Sequence, residues 1–203
     1  MLQLLALGDS YTIGESVAEH ERWPSQLVVA LEKRGIRLDP PVIIARTGWT
    51  TDELAADIER RKPAPAFDLV TLLVGVNNQY RGRDIEEYRE EFRGLLRQAV
   101  GLAKSRPERV IVVSIPDWGV TPFADGRDRA RITSEVNRFN EVNRDEARQA
   151  GARYADITGI SRRASGEPKL TASDGLHPSA EMYRLWTELV LPEALAALAQ
   201  PNP

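Results

Sequence analysis

The chain has 203 residues, and its 27 Lys and Arg against 30 Asp and Glu give a formal charge of −3, which argues against binding to nucleic-acid phosphates. Hydrophobic residues at 42% and charged residues at 28% exclude a disordered or collagen-like chain. The absence of cysteine excludes disulfides and thiolate zinc sites, and the presence of only two histidines excludes a three-His metal centre.

Short apolar runs alternate with longer amphipathic segments along the chain. The first run, Leu2–Leu7, predicts a buried strand. The segment Met1–Leu7 is a poor leader, because it has no basic start and Gly8 and Asp9 interrupt it. No run approaches the roughly 20 apolar residues that span a bilayer. We therefore expect a cytoplasmic protein without a membrane span.

The later segments continue the same alternation. Further strands are predicted at Val42–Ala45, Leu69–Val74, Val110–Ile115 and Ala152–Ile157. Helices are predicted at Pro24–Arg34, at Thr51–Arg61, around residues 85–100 and 132–147, and from near Pro178 with an interruption at Pro192. Five strands alternating with helices predict a three-layer α/β fold with a parallel sheet, and the length predicts one domain over residues 1–203.

Parallel sheets bind ligands beyond the carboxyl ends of their strands, so the residues after each strand are candidate site residues. Ser10 follows the first strand, and a serine hydroxyl is a nucleophile when a base takes its proton. Gly48 follows the second strand and can present a free N–H. Asn77 follows the third strand, and its amide suits a developing oxyanion. Taken singly, each of these residues is also typical of an ordinary turn or helix cap.

The fourth signal is Asp174-Gly175-Leu176-His177-Pro178, near the end of the chain. A carboxylate three residues before a histidine can curl back to the imidazole N–H and fix its tautomer and orientation. The other histidine, His20, lies in a charged segment that we expect to be exposed.

Together, Ser10, Gly48, Asn77 and His177 resemble the four marker residues of the GDSL hydrolases, also called SGNH hydrolases. The resemblance covers essentially the whole chain and implies a flavodoxin-like fold with the sheet order 2-1-3-4-5. It also implies a catalytic triad of Ser10, Asp174 and His177, and an oxyanion hole formed by Ser10, Gly48 and Asn77. Neither a metal nor an organic cofactor is implied. There is no Gly-x-Ser-x-Gly motif, so an α/β-hydrolase is not expected.

The chain departs from the family pattern at two positions. Tyr11 replaces a leucine, a change that touches no catalytic role. Asn78 stands where the family usually has an aspartate, and an amide can form hydrogen bonds but cannot supply negative charge. This second departure concerns the support around the triad and not the triad itself.

The expected substrate is a small-molecule carboxylic ester, with a short acyl chain that is transferred to Ser10. Aromatic residues that follow strand ends are candidates for its pocket, although aromatics are also ordinary core residues: Tyr11, Trp49, Tyr80, Trp118 and Phe123. Alternatives within the same fold are a carbohydrate acetylesterase and a lysophospholipase or thioesterase. From another class, a non-catalytic ligand-binding module is supported only by Asn78. The sequence has no Walker or Rossmann glycine pattern that would favour nucleotide binding.

Overall fold

A five-stranded parallel sheet lies at the centre of the protein, in a computed structural model that describes residues 1–199. The strand order is β2-β1-β3-β4-β5, as predicted. Residues 200–203 of the predicted domain lie outside the described residues. The strands are β1 (Leu4–Gly8), β2 (Val42–Ala45), β3 (Leu69–Leu73), β4 (Val110–Val113) and β5 (Arg153–Ala155).

Helices cover both faces of the sheet. They are α1 (Ser10–Ile13), α2 (Trp23–Glu32), α3 (Thr51–Arg61), α4 (Val76–Tyr80), α5 (Ile85–Leu102), α6 (Arg129–Ala150), α7 (Thr158–Ser161) and α8 (Ala180–Leu198). Helices α2 and α8 pack against each other, while α5 packs between α3 and α6. The predicted three-layer α/β architecture is confirmed. None of the helices within residues 1–199 is both long and apolar enough to cross a membrane.

The two central strands bring the predicted site segments to one edge of the sheet. All residues of β1 and β3 are buried, which explains their continuous apolar character. Gly8 pairs with Ala45 of β2 and with Leu73 of β3, so the three strands end together. A side chain at Gly8 would overlap with the side chain of Thr12 and the carbonyl of Leu73, and glycine therefore allows the chain to turn straight into α1.

The predicted interruption at Pro192 is wrong. Helix α8 continues through Pro192 to Leu198. A proline inside a helix removes one hydrogen bond, but Glu188, whose carbonyl loses its partner, is exposed, so water can satisfy that carbonyl. An apolar stripe on the buried face of α8 spans the proline and holds the helix against the sheet, through Tyr183, Trp186, Val190, Ala194 and Ala197. Tertiary packing thus outweighs the local effect of the proline.

Candidate active site

Ser10 is the first residue of α1, directly beyond the end of β1. The side chain of Asp9 accepts a hydrogen bond from the backbone N–H of Tyr11 (3.0 Å) and so caps this short helix. The cap fixes the turn, and only 5% of Ser10 is exposed. The hydroxyl of Ser10 therefore lies at a defined position at the rim of the sheet.

The Asp174–His177 segment brings an imidazole and a carboxylate to this hydroxyl. His177 Nε2 lies 2.9 Å from Ser10 Oγ, although 167 positions separate the two residues. On the other side of the ring, His177 Nδ1 lies 2.6 Å from Asp174 Oδ2. The second carboxylate oxygen accepts hydrogen bonds from the backbone N–H groups of Leu176 and His177, both at 2.9 Å. A continuous hydrogen-bonded chain thus runs from the carboxylate to the serine.

Asp174 is held in its ionised form. Partial burial raises its pKa, but the hydrogen bonds from the Leu176 N–H, the Ser16 hydroxyl and His177 outweigh this effect and keep the pKa well below its usual value. The bond from Ser16 Oγ to Asp174 Oδ2 is 2.7 Å long. Ser16 adopts a positive φ of 66°, which is uncommon for a residue other than glycine. Ser16 could not be predicted as a site residue, because nothing in the sequence links it to a carboxylate 158 positions away.

Gly48 lies on the loop beyond β2, and Asn77 lies in the short helix α4 beyond β3. Gly48 has a φ of +85° in the tight turn that the Trp49 N–H closes on the Arg46 carbonyl, a conformation that favours glycine. Asn77 Nδ2 donates to the Trp49 carbonyl (2.9 Å), which ties α4 to the loop that follows β2 and leaves the second N–H of the amide for another acceptor. Within residues 1–199, the backbone N–H groups of Ser10 and Gly48 have no acceptor.

Asn78 lies behind the site and uses both ends of its amide. Its oxygen accepts from the backbone N–H of Thr51 (3.1 Å), and its nitrogen donates to the Thr51 hydroxyl (2.7 Å) and to Glu91 (3.3 Å). Asn78 therefore links α4 to α3 and α5 by hydrogen bonds, although it lacks the negative charge of the aspartate that is usual at this position. An aspartate at this position would face the Glu91 carboxylate without a proton to donate.

A cavity of about 150 Å³ opens beside Ser10 and His177. Val76 and Leu176, which were not predicted as site residues, line this cavity. Four of the five predicted aromatics also line it: Tyr11, Tyr80, Trp118 and Phe123. Trp49 does not line this cavity, contrary to the expectation, because its side chain packs against the hydrophobic core while its carbonyl faces Asn77. Among the described residues, no His, Asp and Glu side chains are grouped so as to hold a metal ion.

Aromatic contacts fix the imidazole and the cavity wall. The Tyr11 ring lies 5.3 Å from the His177 ring and 6.0 Å from Trp186, so it packs the imidazole against the core. Trp118 Nε1 donates to the side-chain oxygen of Gln79 (2.8 Å), which fixes the indole beside Tyr80. Both walls of the cavity are therefore held by packing and by hydrogen bonds.

A second carboxyl group, Asp9, is buried next to the nucleophile. Asp9 is fully buried, and its Oδ2 has no hydrogen-bond partner among residues 1–199. Burial raises the pKa of Asp9 to about 7, against the opposing hydrogen bond from the Tyr11 N–H. The folded protein therefore keeps this carboxyl protonated at pH values where the unfolded chain has already ionised it.

This difference predicts a loss of stability as the pH rises. Between the ordinary pKa of 3.8 and about 7, the unfolded chain binds fewer protons at Asp9 than the folded protein does, so the free energy of unfolding falls across that range. The full effect of such a shift is up to about 4 kcal/mol. Asp9→Asn removes the titrating group and should remove this decline.

The measurement is chemical denaturation of the wild type and Asp9→Asn at pH 5 and pH 8. These values lie above the range in which protonation of Asp174 would interfere. The free energy of unfolding of Asp9→Asn, minus that of the wild type, should be larger at pH 8 than at pH 5. An equal difference at both pH values would contradict a raised pKa of Asp9.

The chain matches a known protein family over most of its length. The model of the GDSL-like Lipase/Acylhydrolase family matches residues 6–185, which include the segments of Ser10, Gly48, Asn77, Asp174 and His177. No curated protein sequence matches the chain.

Solved structures share the fold at low sequence identity. The lipase/acylhydrolase from Enterococcus faecalis is 18% identical with a TM-score of 0.73, and the match covers all of both chains. A variant of Axe2, an acetyl xylan esterase from Geobacillus stearothermophilus, is 18% identical with a TM-score of 0.71 over 98% of this chain and 97% of Axe2. The psychrotrophic esterase EstA from Pseudoalteromonas sp., solved inhibited by monoethylphosphonate, is 16% identical with a TM-score of 0.70 over 98% of this chain and 100% of EstA.

Proposed function

The chain belongs to the GDSL-like lipase/acylhydrolase family of serine hydrolases, and we propose that it is an esterase that cleaves carboxylic esters of short acyl chains through an acyl-enzyme on Ser10. The observation that carries the proposal is the hydrogen-bonded chain from Asp174 through His177 to Ser10, at 2.6 and 2.9 Å. Such a chain is the geometry that turns a serine hydroxyl into a nucleophile.

In the first step, Ser10 Oγ attacks the ester carbonyl carbon while His177 Nε2 takes the hydroxyl proton. Asp174 accepts the Nδ1–H of His177, which keeps Nε2 unprotonated before the attack and stabilises the imidazolium after it. The imidazolium then donates its proton to the departing alkoxide, and an acyl group remains on Ser10. Water, deprotonated by the same Nε2, attacks this acyl group and releases the acid.

The negative charge on the carbonyl oxygen needs hydrogen-bond donors. We assign this role to the backbone N–H groups of Ser10 and Gly48 and to the side-chain amide of Asn77. The two N–H groups have no other acceptor among the described residues, and Asn77 keeps one N–H available. Donors that are already oriented need no rearrangement as the charge develops.

Asn77→Ala should lower kcat for p-nitrophenyl acetate by about a hundredfold to a thousandfold, with a smaller change in KM. The amide donor acts mainly on the charged intermediate, which explains the expected split between kcat and KM. The measurement is steady-state kinetics, with thermal unfolding of the variant as a check that the Trp49 loop is intact. A variant that keeps its melting temperature and its kcat would remove Asn77 from the oxyanion hole.

The size of the cavity supports a short acyl chain. A cavity of about 150 Å³ is smaller than the 300–1,000 Å³ typical of sites for drug-sized ligands. It has room for an acetyl or similarly small group beside Ser10. A long acyl chain, as in a lysophospholipase or an acyl thioesterase, would not fit inside this volume and would have to extend out of the cavity. Activity against acyl chains of increasing length tests this point.

A carbohydrate acetylesterase is the second candidate. The small cavity suits an acetyl group, and the exposed ring of Tyr80 beside Trp118 offers the aromatic surface on which sugars stack. The comparison with Axe2 agrees with this candidate in fold only. Acetylated xylose or chitooligomers turned over faster than simple aryl acetates would favour it over a general esterase.

Covalent labelling tests the proposed function directly. A fluorophosphonate probe should form a stoichiometric adduct on Ser10, located by mass spectrometry of the digested protein, and Ser10→Ala should remain unlabelled. An unlabelled wild type would exclude an activated serine and would favour the ligand-binding module. The cytoplasmic location and the single domain over residues 1–203 remain predictions.

A further inference from the structure

A second cleft adjoins the proposed catalytic cavity and shares Tyr80 and Trp118 with it. This cationic cleft has a volume of about 530 Å³, against about 150 Å³ for the cavity beside Ser10. We propose that the cationic cleft binds an anionic group, a carboxylate or a phosphate, carried by the ester substrate at a distance from its reacting carbonyl. This inference rests on the proposed function, since it concerns the substrate of the same site.

Arg127 lies at the junction of the two spaces. Its guanidinium carbon lies 5.1–5.5 Å from the ring centres of Tyr80, Trp118 and Phe123, which line the catalytic cavity. The one hydrogen bond of its guanidinium within residues 1–199 is from Nη2 to the Tyr80 hydroxyl (3.3 Å). A guanidinium has five N–H donors, so most of those of Arg127 remain available to a ligand. The aromatic stack holds the charge in place without neutralising it.

The other charges of the cleft leave an excess of positive charge for a ligand. Arg138 also lines the cleft and, like Arg127, forms no salt bridge within residues 1–199, although its charge helps to lower the pKa of Asp84 and of Glu135. The three acids of the cleft already accept hydrogen bonds from other groups of the protein. Asp84 and Asp128 cap α5 and α6 through backbone N–H groups, and Glu135 accepts from Arg131 (2.7 Å) and Gln79 (2.8 Å).

Arg83 is the remaining arginine of the cleft, and it faces carboxylates outside it. Its partners are Asp52 (3.5 Å), Glu87 (3.5 Å) and Glu91 (3.7 Å). An anion in the cleft would therefore meet Arg127 as its principal cation, because the charge of Arg138 also acts on Asp84 and Glu135. The planar fork of a guanidinium fits a carboxylate or phosphate with two parallel hydrogen bonds, which makes arginine well suited to this recognition.

The geometry sets where the anion lies in the substrate. The Tyr80 and Trp118 rings, 5.5 Å apart at their centres, separate the cationic cleft from the cavity beside Ser10. An ester whose carbonyl lies at Ser10 must therefore extend past these rings before its anionic group reaches Arg127. Either half of the ester, the acyl part or the alcohol part, can carry that group, and the experiment distinguishes the two.

The test compares each anionic ester with its neutral methyl ester. p-Acetoxybenzoate carries the charge on the alcohol half, and mono-p-nitrophenyl adipate carries it on the acyl half. For at least one of them, kcat/KM of the wild type should exceed that of the methyl ester, and about 1 M salt should reduce this preference. Arg127→Gln should lower kcat/KM for that anionic ester by about tenfold and leave the methyl ester within about twofold.

Arg148→Gln is the matched control, because it removes the same charge at an exposed position of α6. Arg148 does not line the cleft, and it lies about 30 Å along α6 from the start of that helix. It should leave the preference for the anionic ester unchanged. Equal turnover of both anionic esters and their methyl esters by the wild type would overturn the proposal. So would an equal loss for charged and neutral esters in Arg127→Gln.

A binding measurement separates this inference from the proposed function. Calorimetric titration of the Ser10→Ala protein with each anionic ester reads recognition without turnover, and adding Arg127→Gln to that background should weaken binding of the preferred ester. If the wild type turns over no ester and takes no fluorophosphonate label while this binding remains, the proposed function alone fails. If neither anionic ester binds more tightly than its methyl ester, the anion site is excluded.

Discussion

Ser10→Ala should lower kcat for p-nitrophenyl acetate by about 10⁴-fold or more in a protein that still folds. The hydroxyl oxygen forms the new bond to the acyl carbon in the proposed mechanism, and no neighbouring group can replace it. The change removes one oxygen atom from a buried position whose partner is His177. Because the alanine leaves the backbone cap by Asp9 unchanged, the measured loss should come from the chemistry and not from unfolding.

The control for this prediction is Ser134→Ala, which makes the same chemical change at an exposed position of α6. Its turnover and melting temperature should equal those of the wild type. Comparable turnover by Ser10→Ala and Ser134→Ala would remove the serine mechanism altogether.

Asp174→Asn should lower kcat by about 10⁴-fold as well, for a reason that concerns a proton rather than a bond. The asparagine oxygen can still accept from the Leu176 and His177 N–H groups, so the loop keeps its shape. The amide nitrogen then faces His177 Nδ1 as a donor. This favours the imidazole tautomer with the proton on Nε2, which cannot take the proton of Ser10.

Asp145→Asn provides the comparison for Asp174→Asn. Asp145 lies on α6 and pairs with Arg148 at 3.5 Å, outside the site. Steady-state kinetics on p-nitrophenyl acetate should show no loss for Asp145→Asn. If Asp174→Asn retained more than about a tenth of the wild-type kcat, the carboxylate would have no part in orienting the imidazole.

The fold and the triad geometry follow from features that a single sequence displays. The observed bounds of β2 and α3 equal the predicted ones, because Val42–Ala45 is a continuous apolar run and Pro63 and Pro65 prevent the helix from continuing far beyond Arg61. Ser10, Asn77 and His177 could be selected because each follows a strand end or precedes a helix. The parallel order of the strands then brings them to one edge of the sheet.

Features that depend on packing between distant segments could not be predicted. Trp49, like the cavity aromatics, follows a strand end, and only the tertiary structure packs its partly buried side chain against the core. The role of Asn78 depends on Glu91, and that of Ser16 on Asp174, neither of which is near in sequence. Arg127 could not be distinguished in the sequence from the many other arginines, because its stacking on three aromatic rings arises only when separate segments of the chain meet.

The packing of α2 against α8 has a consequence for how the protein loses activity on heating. Ser10 precedes α2, His177 precedes α8, and these two helices hold the opposite ends of the chain side by side. A partly melted molecule that released α8 would retain the nucleophile but lose its base. Catalysis therefore reports the presence of the complete tertiary structure, and turnover should vanish at the same temperature as cooperative melting.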